Sequence, residues 1–422
     1  MILNQFLGCD FVTYENLNKI YYKDNSKWEE EYNNRFNAPF TEHFDFNIKQ
    51  YGYNEAYPAF YCITPKILNL LDKIHTLHIT LNHQARFLPP IATHKIVQTY
   101  IIQEIQSSNE IEGVRSSKKE IRDALKLSNL TNKTKQLRFS SIIEKYNELA
   151  KRKRIKLETS QDIRKFYDEF ILSEVVSANP NNKPDGIIFR ADNVEITTGT
   201  QKLLHMGTYP ENKLIEEMKK SLEILHNENY PPLIRIAIFH YLFGYIHPFY
   251  DGNGRTIRFI TSYFISIYFP PLVALNISLL INRNQKLYSD MFEKTTSYFN
   301  RGDLSFFITG FLYIIKNSFD DVIANLTEQL EILTAYREKI HKLQTTDLTT
   351  YALYEILLQA TIFSDDGLTM QDMIDSLDKS INTIKSRLTT IPQNHLIIDT
   401  SEKIHRYKLN LKAINLIERI EK

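Results

Sequence analysis

The sequence predicts a mostly α-helical protein with one small β-hairpin and, at its C-terminal end, a helical domain closed by a two-stranded wing. Three observations predict it. Apolar residues recur at helical spacing in PPLIRIAIFHYLFGYI (231–246) and again from Thr256 to Phe269, so two buried helices flank a polar loop. The run IIFRADNVEITTGTQKLLHMGTYP (187–210) sets β-branched and aromatic residues around Asp192-Asn193 and Thr198-Gly199, which is a hairpin pattern. Near the end, TTYALYEILLQA, TMQDMIDSL and SINTIKSRLTTI read as three helices, the second capped by Leu368-Thr369, and NHLIIDTSEKIHRYKLN reads as two strands around a turn.

Taken in order, residues 1 to about 60 are rich in aromatics, Asn and charges with weak periodicity, and they suggest no function. The single Trp28 there is expected to be a packing anchor. Ile63 to Asn82 is an amphipathic helix with Pro65 in its first turn. His75 and His78 share a face of that helix, but with no third ligand near they are surface or core histidines. His94 to Gly113 has two readings: Ser107 to Glu110 as a capping box that starts a new turn, or a helix placing Ser108 and Glu112 on one face with Gly113 ending it. Residues 114 to 180 are helices broken by polar loops, and Lys151 to Arg154 is a solvated helix end. Ala178 to Gly186 is a Pro/Asn/Gly loop. A helix after Pro210 leads to the buried pair, and Asn317 to Lys342 is one long charged helix able to link domains or mediate a homodimer. The boundaries read as an N-terminal helical region at 1–93, a central domain at 94–316, a linker helix at 317–344 and a winged-helix domain at 345–422.

Composition excludes several function classes. The 422 residues predict two to four domains, and 43% hydrophobic residues suffice for packed cores. Lys and Arg number 51 against 50 Asp and Glu, so no global field draws the chain to nucleic acid or membrane. Cys9 and Cys62 read as free thiols in a reducing compartment. With no stretch of 18 apolar residues and no basic leader, the expected location is the cytoplasm, with no membrane partner.

The chemistry concentrates between the two buried helices, in His247-Pro-Phe-Tyr-Asp-Gly-Asn-Gly-Arg-Thr-Ile-Arg258. Pro248 cannot extend the first helix, and Asp251-Gly252-Asn253-Gly254 supplies turn chemistry that lets backbone N–H groups converge at the start of the second. Such a nest on a helix N-terminus is an anion site, and phosphate is the obvious anion. His247 at its mouth is a candidate base. Asp251 is a candidate ligand for Mg²⁺ arriving with a nucleotide. Arg255 and Arg258, three residues apart on the first turn, suit phosphate oxygens. Together they describe transfer of a phosphate-containing group.

These residues resemble the signature of the Fic family (filamentation induced by cAMP), His-Pro-Phe-x-Asp/Glu-Gly-Asn-Gly-Arg-x-x-Arg, with every fixed position present. The resemblance implies a Fic-type helical core and transfer of AMP from ATP to a Ser, Thr or Tyr hydroxyl of a target protein, with pyrophosphate leaving. By it, His247 would deprotonate the hydroxyl and Asp251 would hold Mg²⁺. Gly252, Asn253 and Gly254 would cradle the phosphates, Arg255 would contact the β-phosphate and Arg258 the γ-phosphate. Ser108-x-x-x-Glu112-Gly113 resembles the family's inhibitory motif, in a helix at about 94–113, and implies a Glu112–Arg258 ion pair where the γ-phosphate must lie. The hairpin at about 186–210, with Gly186, Arg190 and Val194-Glu-Ile196, resembles the flap that aligns the target segment by strand pairing. Tyr288 resembles one of two tandem tyrosines beside the base and so stands as an adenine contact. The chain departs from the family at Gly244, where Glu is frequent, and at Ser262, where many members carry Asn. The resemblance spans about 95–316.

Two function classes stay open at this stage. One is an autoinhibited AMP transferase whose outer domains choose the target. The other is a DNA-binding regulator or interaction protein with a silent or nucleotide-sensing Fic core; Lys379, Lys385, Arg387, Lys403, Arg406 and Lys408 could face phosphate, yet residues 345–422 hold eleven acidic and nine basic side chains. Removal of AMP, with Glu112 positioning water, is a further reading that the resemblance implies.

Overall fold

The computed structural model describes residues 14–128, 137–197, 203–343, 347–401 and 404–414. The chain divides into two units, Met1–Thr76 with Glu104–Ser318, and Leu77–Gln103 with Phe319–Lys422. No helix among the described residues is long and apolar enough to cross a membrane.

The first unit opens with α1 (Leu17–Lys23) and α2 (Asn25–Phe36), started by the side chains of Asn16 and Asp24, which accept from Asn18 N and Ser26 N. An antiparallel hairpin follows, β1 (Thr41–Ile48) with β2 (Tyr57–Cys62). The region expected as helical therefore contains a sheet. Its cause is the alternation of Phe44, Phe46 and Ile48, all buried, with Asp45 and Asn47, both exposed. Trp28 is the expected packing anchor: its Nε1 donates to Phe299 O at 2.7 Å, and the Arg301 guanidinium lies 3.7 Å above its ring. Cys62 is a buried free thiol, whereas Cys9 lies outside the described residues.

Helices α3 (Pro65–Ala85) and α4 (Pro90–Ile111) each run through a division between the units, so the expected boundary at residue 93 does not exist as a break in the chain. Nor does α4 restart at Ser107. Ser107, Ser108 and Asn109 are all buried within it, which removes the capping-box reading. Then come α5 (Lys118–Ser128), α6 (Ser140–Ala150), α7 (Ser160–Tyr167), a π-helical turn at Asp168–Leu172, and α8 (Ser173–Ala178). Lys151 to Arg154, past the end of α6, are exposed as expected. The short strands β3 (Glu195–Thr197) and β4 (Leu203–Met206) pair antiparallel where the flap was expected; the connecting residues 198–202 lie outside the described set.

Helix α9 (Glu211–His226) packs on α10 (Pro232–Ile246), which packs on α11 (Asn253–Tyr268). Of the fifteen residues of α10, only Pro232 and Gly244 are not buried. That all-round burial explains why its sequence is apolar without a polar face. Three further helices complete this layer, α12 (Pro271–Ala274), α13 (Ile277–Arg283) and α14 (Gln285–Thr296). The expected linker helix proves to be the later two thirds of α15 (Ser305–Lys342), whose first turns belong to the first unit.

In the second unit, α16 (Leu348–Phe363), β5 (Leu368–Thr369), α17 (Met370–Leu377), α18 (Ile381–Thr390), β6 (Leu396–Asp399) and β7 (Arg406–Leu409) follow the predicted order, with β5 as an added third strand in a sheet ordered β5-β7-β6. Thr369 and Asp372 form a reciprocal capping box at the start of α17. The basic residues expected on phosphate are largely engaged within the unit. Arg387 reaches Asp347 at 3.3 Å, Arg406 reaches Asp366 at 3.6 Å, and Lys408 donates to the Asp365 carbonyl. Lys379 and Lys385 are exposed, and Lys403 lies outside the described residues.

Candidate active site

The loop between α10 and α11 is held by its own side chains. His247 ends α10 in the left-handed region (φ 54°, ψ 66°), with its N–H on Phe243 O at 2.9 Å. Phe249 is fully buried and stacks on Tyr167 with ring centroids 3.6 Å apart. Asn253 clasps the same residue twice: Phe249 N donates to Oδ1 at 3.0 Å and Nδ2 donates to Phe249 O at 2.7 Å. The side chain of Asn253 thus shapes the turn, and only its backbone is left for a ligand. Gly252 takes φ 77° at the start of α11, and Tyr167 Oη donates to Asp251 O at 3.0 Å.

His247 Nδ1 lies 3.3 Å from Gly244 O. With the proton on Nδ1, Nε2 carries the free lone pair. Burial, with a smaller push from Arg190, draws the imidazole down to about 4, so it is neutral at pH 7 and able to accept a proton. His247 O in turn accepts from Arg190 Nε at 2.9 Å. Arg190 is almost wholly buried and also donates to Thr208 O at 2.8 Å, Ile246 O at 3.4 Å and Asp192 O. One guanidinium therefore ties the flap segment to the base.

The two arginines of the motif, expected to face phosphate together, take separate carboxylates. Arg255 Nη1 lies 3.0 Å from Glu174 Oε1 on α8, while its Nε and Glu174 Oε2 are buried without a partner. Arg258 is fully enclosed. Its Nη1 donates to Glu112 Oε1 at 2.8 Å, its Nε to Ser108 Oγ at 3.0 Å and its Nη2 to Ser108 O at 2.7 Å. Burial pushes the Glu112 carboxyl upward, but Arg258 outweighs it and holds the group below the usual range. The position of that carboxylate is decisive. A Cβ built on Gly254 would stand 2.0 Å from Glu112 Oε1 and 2.9 Å from Arg258 Nη1, so the acid lies against the glycine of the turn. Gly113, at φ 68°, ends α4 one residue later, with Val114 N on Asn109 O at 2.9 Å.

Residues 158–265 match the Fic/DOC family. Among solved structures, a Fic family protein from Desulfovibrio desulfuricans G20 is similar to this chain with 20% identity and a TM-score of 0.51, over 83% of this chain and 97% of that one. It shows a shared fold. A Fic-domain signalling protein from Bacteroides thetaiotaomicron VPI-5482 aligns at 15% identity over 62% and 95% of the two chains (TM-score 0.40), and Fic-1 from C. elegans at 19% over 62% and 74% (TM-score 0.42). No curated protein matches the chain.

The Fic/DOC match contains the whole loop but stops short of Ser108, Glu112 and Tyr288, which the fold brings to it or beneath it. Tyr288 Oη lies 2.6 Å from His240 Nε2, and His240 Nδ1 lies 2.7 Å from Thr261 Oγ1. Its ring meets Phe292 edge-on at 5.2 Å, and its buried phenol lies close enough to Arg258 and Glu112 to interact with both. Gly244 leaves room for the Phe292 ring, against which a Cβ would come within 2.6 Å. Ser262 faces Glu104 Oε1 at 3.4 Å.

Four positions around this loop escaped the sequence reading. Glu104 is wholly buried and accepts from Ser278 N at 2.8 Å and Ser278 Oγ at 2.6 Å. It stands four residues before Ser108 and eight before Glu112 on one helix face, a periodicity that was legible. Glu174 and Asn182 had no signal, because they meet Arg255 and Asp251 only through the fold. Tyr167 was hidden by the π-helical turn that follows it. As for a cation, Asp251 Oδ2 has one long contact, 3.4 Å to Asn182 Nδ2. Its Oδ1 accepts from Gly252 N at 2.5 Å, so Oδ2 is the oxygen left to face a cation, and one such oxygen beside an anion nest fits Mg²⁺, which takes its other ligands from phosphate and water.

Proposed function

We propose that this protein transfers AMP from ATP to a Ser, Thr or Tyr hydroxyl of a target protein, and that Glu112 holds it in check. One observation carries the reading: the Glu112 carboxylate rests on Arg258 and against Gly254, an anion lodged in the place prepared for a phosphate. The motif residues keep the roles expected of them. Nε2 of His247 takes the proton of the attacking hydroxyl, whose oxygen forms a bond to the α-phosphorus. The bond from that phosphorus to the bridging oxygen breaks, and pyrophosphate leaves with the electron pair. Backbone N–H groups at Gly252 to Gly254 and the guanidinium of Arg255 receive the phosphates. Arg258 receives the γ-phosphate once Glu112 withdraws. Asp251 would hold Mg²⁺, which would supply neutralisation of charge on the phosphates. The hairpin β3–β4 offers a strand edge to the target segment, and Tyr288 borders the nucleotide side.

The DNA-binding reading draws less support, since Arg387, Arg406 and Lys408 already have acceptors of their own. The test is incorporation of label from α-labelled ATP with Mg²⁺, comparing wild type, Glu112→Gly and Glu112→Gly/His247→Ala. Strong labelling by Glu112→Gly, weak labelling by wild type and none by the double variant is expected. If all three stay unlabelled while ATP still binds, the transfer reading is wrong.

A further inference from the structure

Six arginines among the described residues are buried; four of them meet a carboxylate, and a fifth is surrounded by backbone carbonyls. Arg35 meets Asp303, Arg255 meets Glu174, Arg258 meets Glu112 and Arg301 meets Glu29, while Arg190 donates to four backbone carbonyls. Arg235 is the exception. It is 7% exposed, and its one described hydrogen bond goes to the phenol of Tyr268. A buried guanidinium with neither a counter-anion nor a full set of acceptors is unfavourable. Unlike Arg190, whose donors are taken by four carbonyls, Arg235 keeps donors free for a further acceptor.

Room for that acceptor exists. Arg235 lines a cavity of about 220 Å³ between the first turn of α10, the last turns of α11 and the segment before α7. Its walls include Ile236, Tyr263, Phe264 and Tyr268, and its mouth carries Ile267, about half exposed. Tyr263 is held in place by both backbone groups of Ile155, at 2.9 and 3.1 Å. His226 Nε2 is taken by Leu157 O at 2.9 Å. The other charges on the cavity are Arg154, paired with Glu158 at 2.9 Å, and the exposed Glu228.

From this geometry we infer a binding site for a small organic monocarboxylate, its carboxylate on Arg235 and its apolar body against the aromatic wall. One unpaired guanidinium balances one negative charge, and its planar fork matches a carboxylate in two parallel hydrogen bonds. Glu158 and Glu228 at the rim disfavour a dianion such as phosphate. The volume admits a body the size of a single ring. The site is built from the same two helices as the catalytic loop but at their opposite ends, so it does not depend on the nucleotide.

Calorimetric titration of the full chain with sodium benzoate tests it, with inorganic phosphate as the comparison. Wild type is expected to bind benzoate, and Arg235→Met to lose at least about tenfold in affinity, the share of one charge-assisted contact. Absence of benzoate binding to wild type, or equal binding by Arg235→Met, overturns the site, and tighter binding of phosphate overturns the carboxylate assignment. Should Arg235→Met not fold by circular dichroism, Ile267→Trp decides, since it closes the mouth and leaves Arg235 in place: lost binding supports the site and unchanged binding removes it.

Discussion

Glu112 Oε1 and Arg258 Nη1 lie 2.8 Å apart, and the same arginine is gripped from behind by Ser108 through both its hydroxyl and its carbonyl. Arg258 is thus met at three points by the last turn of α4 and the residue that follows it, of which only Glu112 brings an opposite charge. Every bond here carries the charge of the guanidinium, but only Glu112 answers it with an opposite charge, so the carboxylate outweighs the hydroxyl.

Ser108→Ala removes the bond from the guanidinium to an uncharged hydroxyl and keeps the Ser108 carbonyl on Nη2. Labelling by this variant is expected to rise a few-fold over wild type, well below the roughly ten- to hundredfold rise expected of Glu112→Gly. Initial rates of AMP incorporation at one ATP concentration measure both. A Ser108→Ala rate equal to that of Glu112→Gly would show that the turn opens as a unit and that the weights assigned here are wrong.

The depressed imidazole of His247 predicts an unusual pH profile. A group whose proton affinity falls on burial stays neutral to lower pH, so the base remains competent until pH falls through about 4. An ordinary histidine would fail near 6.5. Glu112 raises the affinity of His247 for its proton, so its removal moves the acid limb further down. Labelling by Glu112→Gly measured from neutral pH to about pH 5 is therefore expected to show no loss from this group. A fall centred near 6.5 in kcat would mean that His247 is solvated in the working state.

Much of the site was readable along the chain, because its parts are contiguous between His247 and Arg258 and their spacing alone implies a nest with a base and two cations. Ser108 and Glu112 were readable for a second reason, helical spacing ending at a glycine. What stayed hidden depends on distant residues meeting. Glu174 finds Arg255 from α8, and Asn182 finds Asp251 from a loop. The β1–β2 hairpin was overlooked although Phe44, Phe46 and Ile48 alternate, because aromatic and polar residues on either side blur the period. The extent of α15 was misjudged for a related reason: the change from apolar to charged composition near Asn317 marks where the helix passes from one unit to the other, not where it begins.

Arg190 was noted only for its place in a pattern, and its contacts give it a larger role. Four carbonyls, from Asp192, Thr208, Ile246 and His247, depend on its guanidinium. Arg190→Met leaves them buried and unpaired, at a cost of about 1–3 kcal/mol for each that water cannot reach. The thermal midpoint is expected to fall by several degrees. In the Glu112→Gly background, labelling is expected to fall at least about tenfold, the rate equivalent of about 1.4 kcal/mol, because the carbonyl that orients His247 is released. Loss of stability with undiminished labelling would confine Arg190 to a structural role.

Glu104 gives stability a pH dependence of its own. Burial pushes this carboxyl up to about 7, against bonds from Ser278 and the charge of Arg258 that lower it. Between its ordinary value near 4.5 and about 7 the folded chain binds a proton that the unfolded chain has lost. The contribution of this group to stability is consequently full at acid pH and declines as pH rises through that window. Glu104→Gln removes the ionisation while its carbonyl can still accept from Ser278 N and the serine hydroxyls can turn to meet its amide. The variant is expected to lose stability relative to wild type by less at pH 8 than at pH 5, or to exceed it at pH 8, with a change between the two of about 2–3 kcal/mol at most. Denaturant midpoints at both pH values read this directly. Parallel curves for the two proteins would mean that Glu104 is ionised throughout, and that Ser278 and Arg258 outweigh its burial.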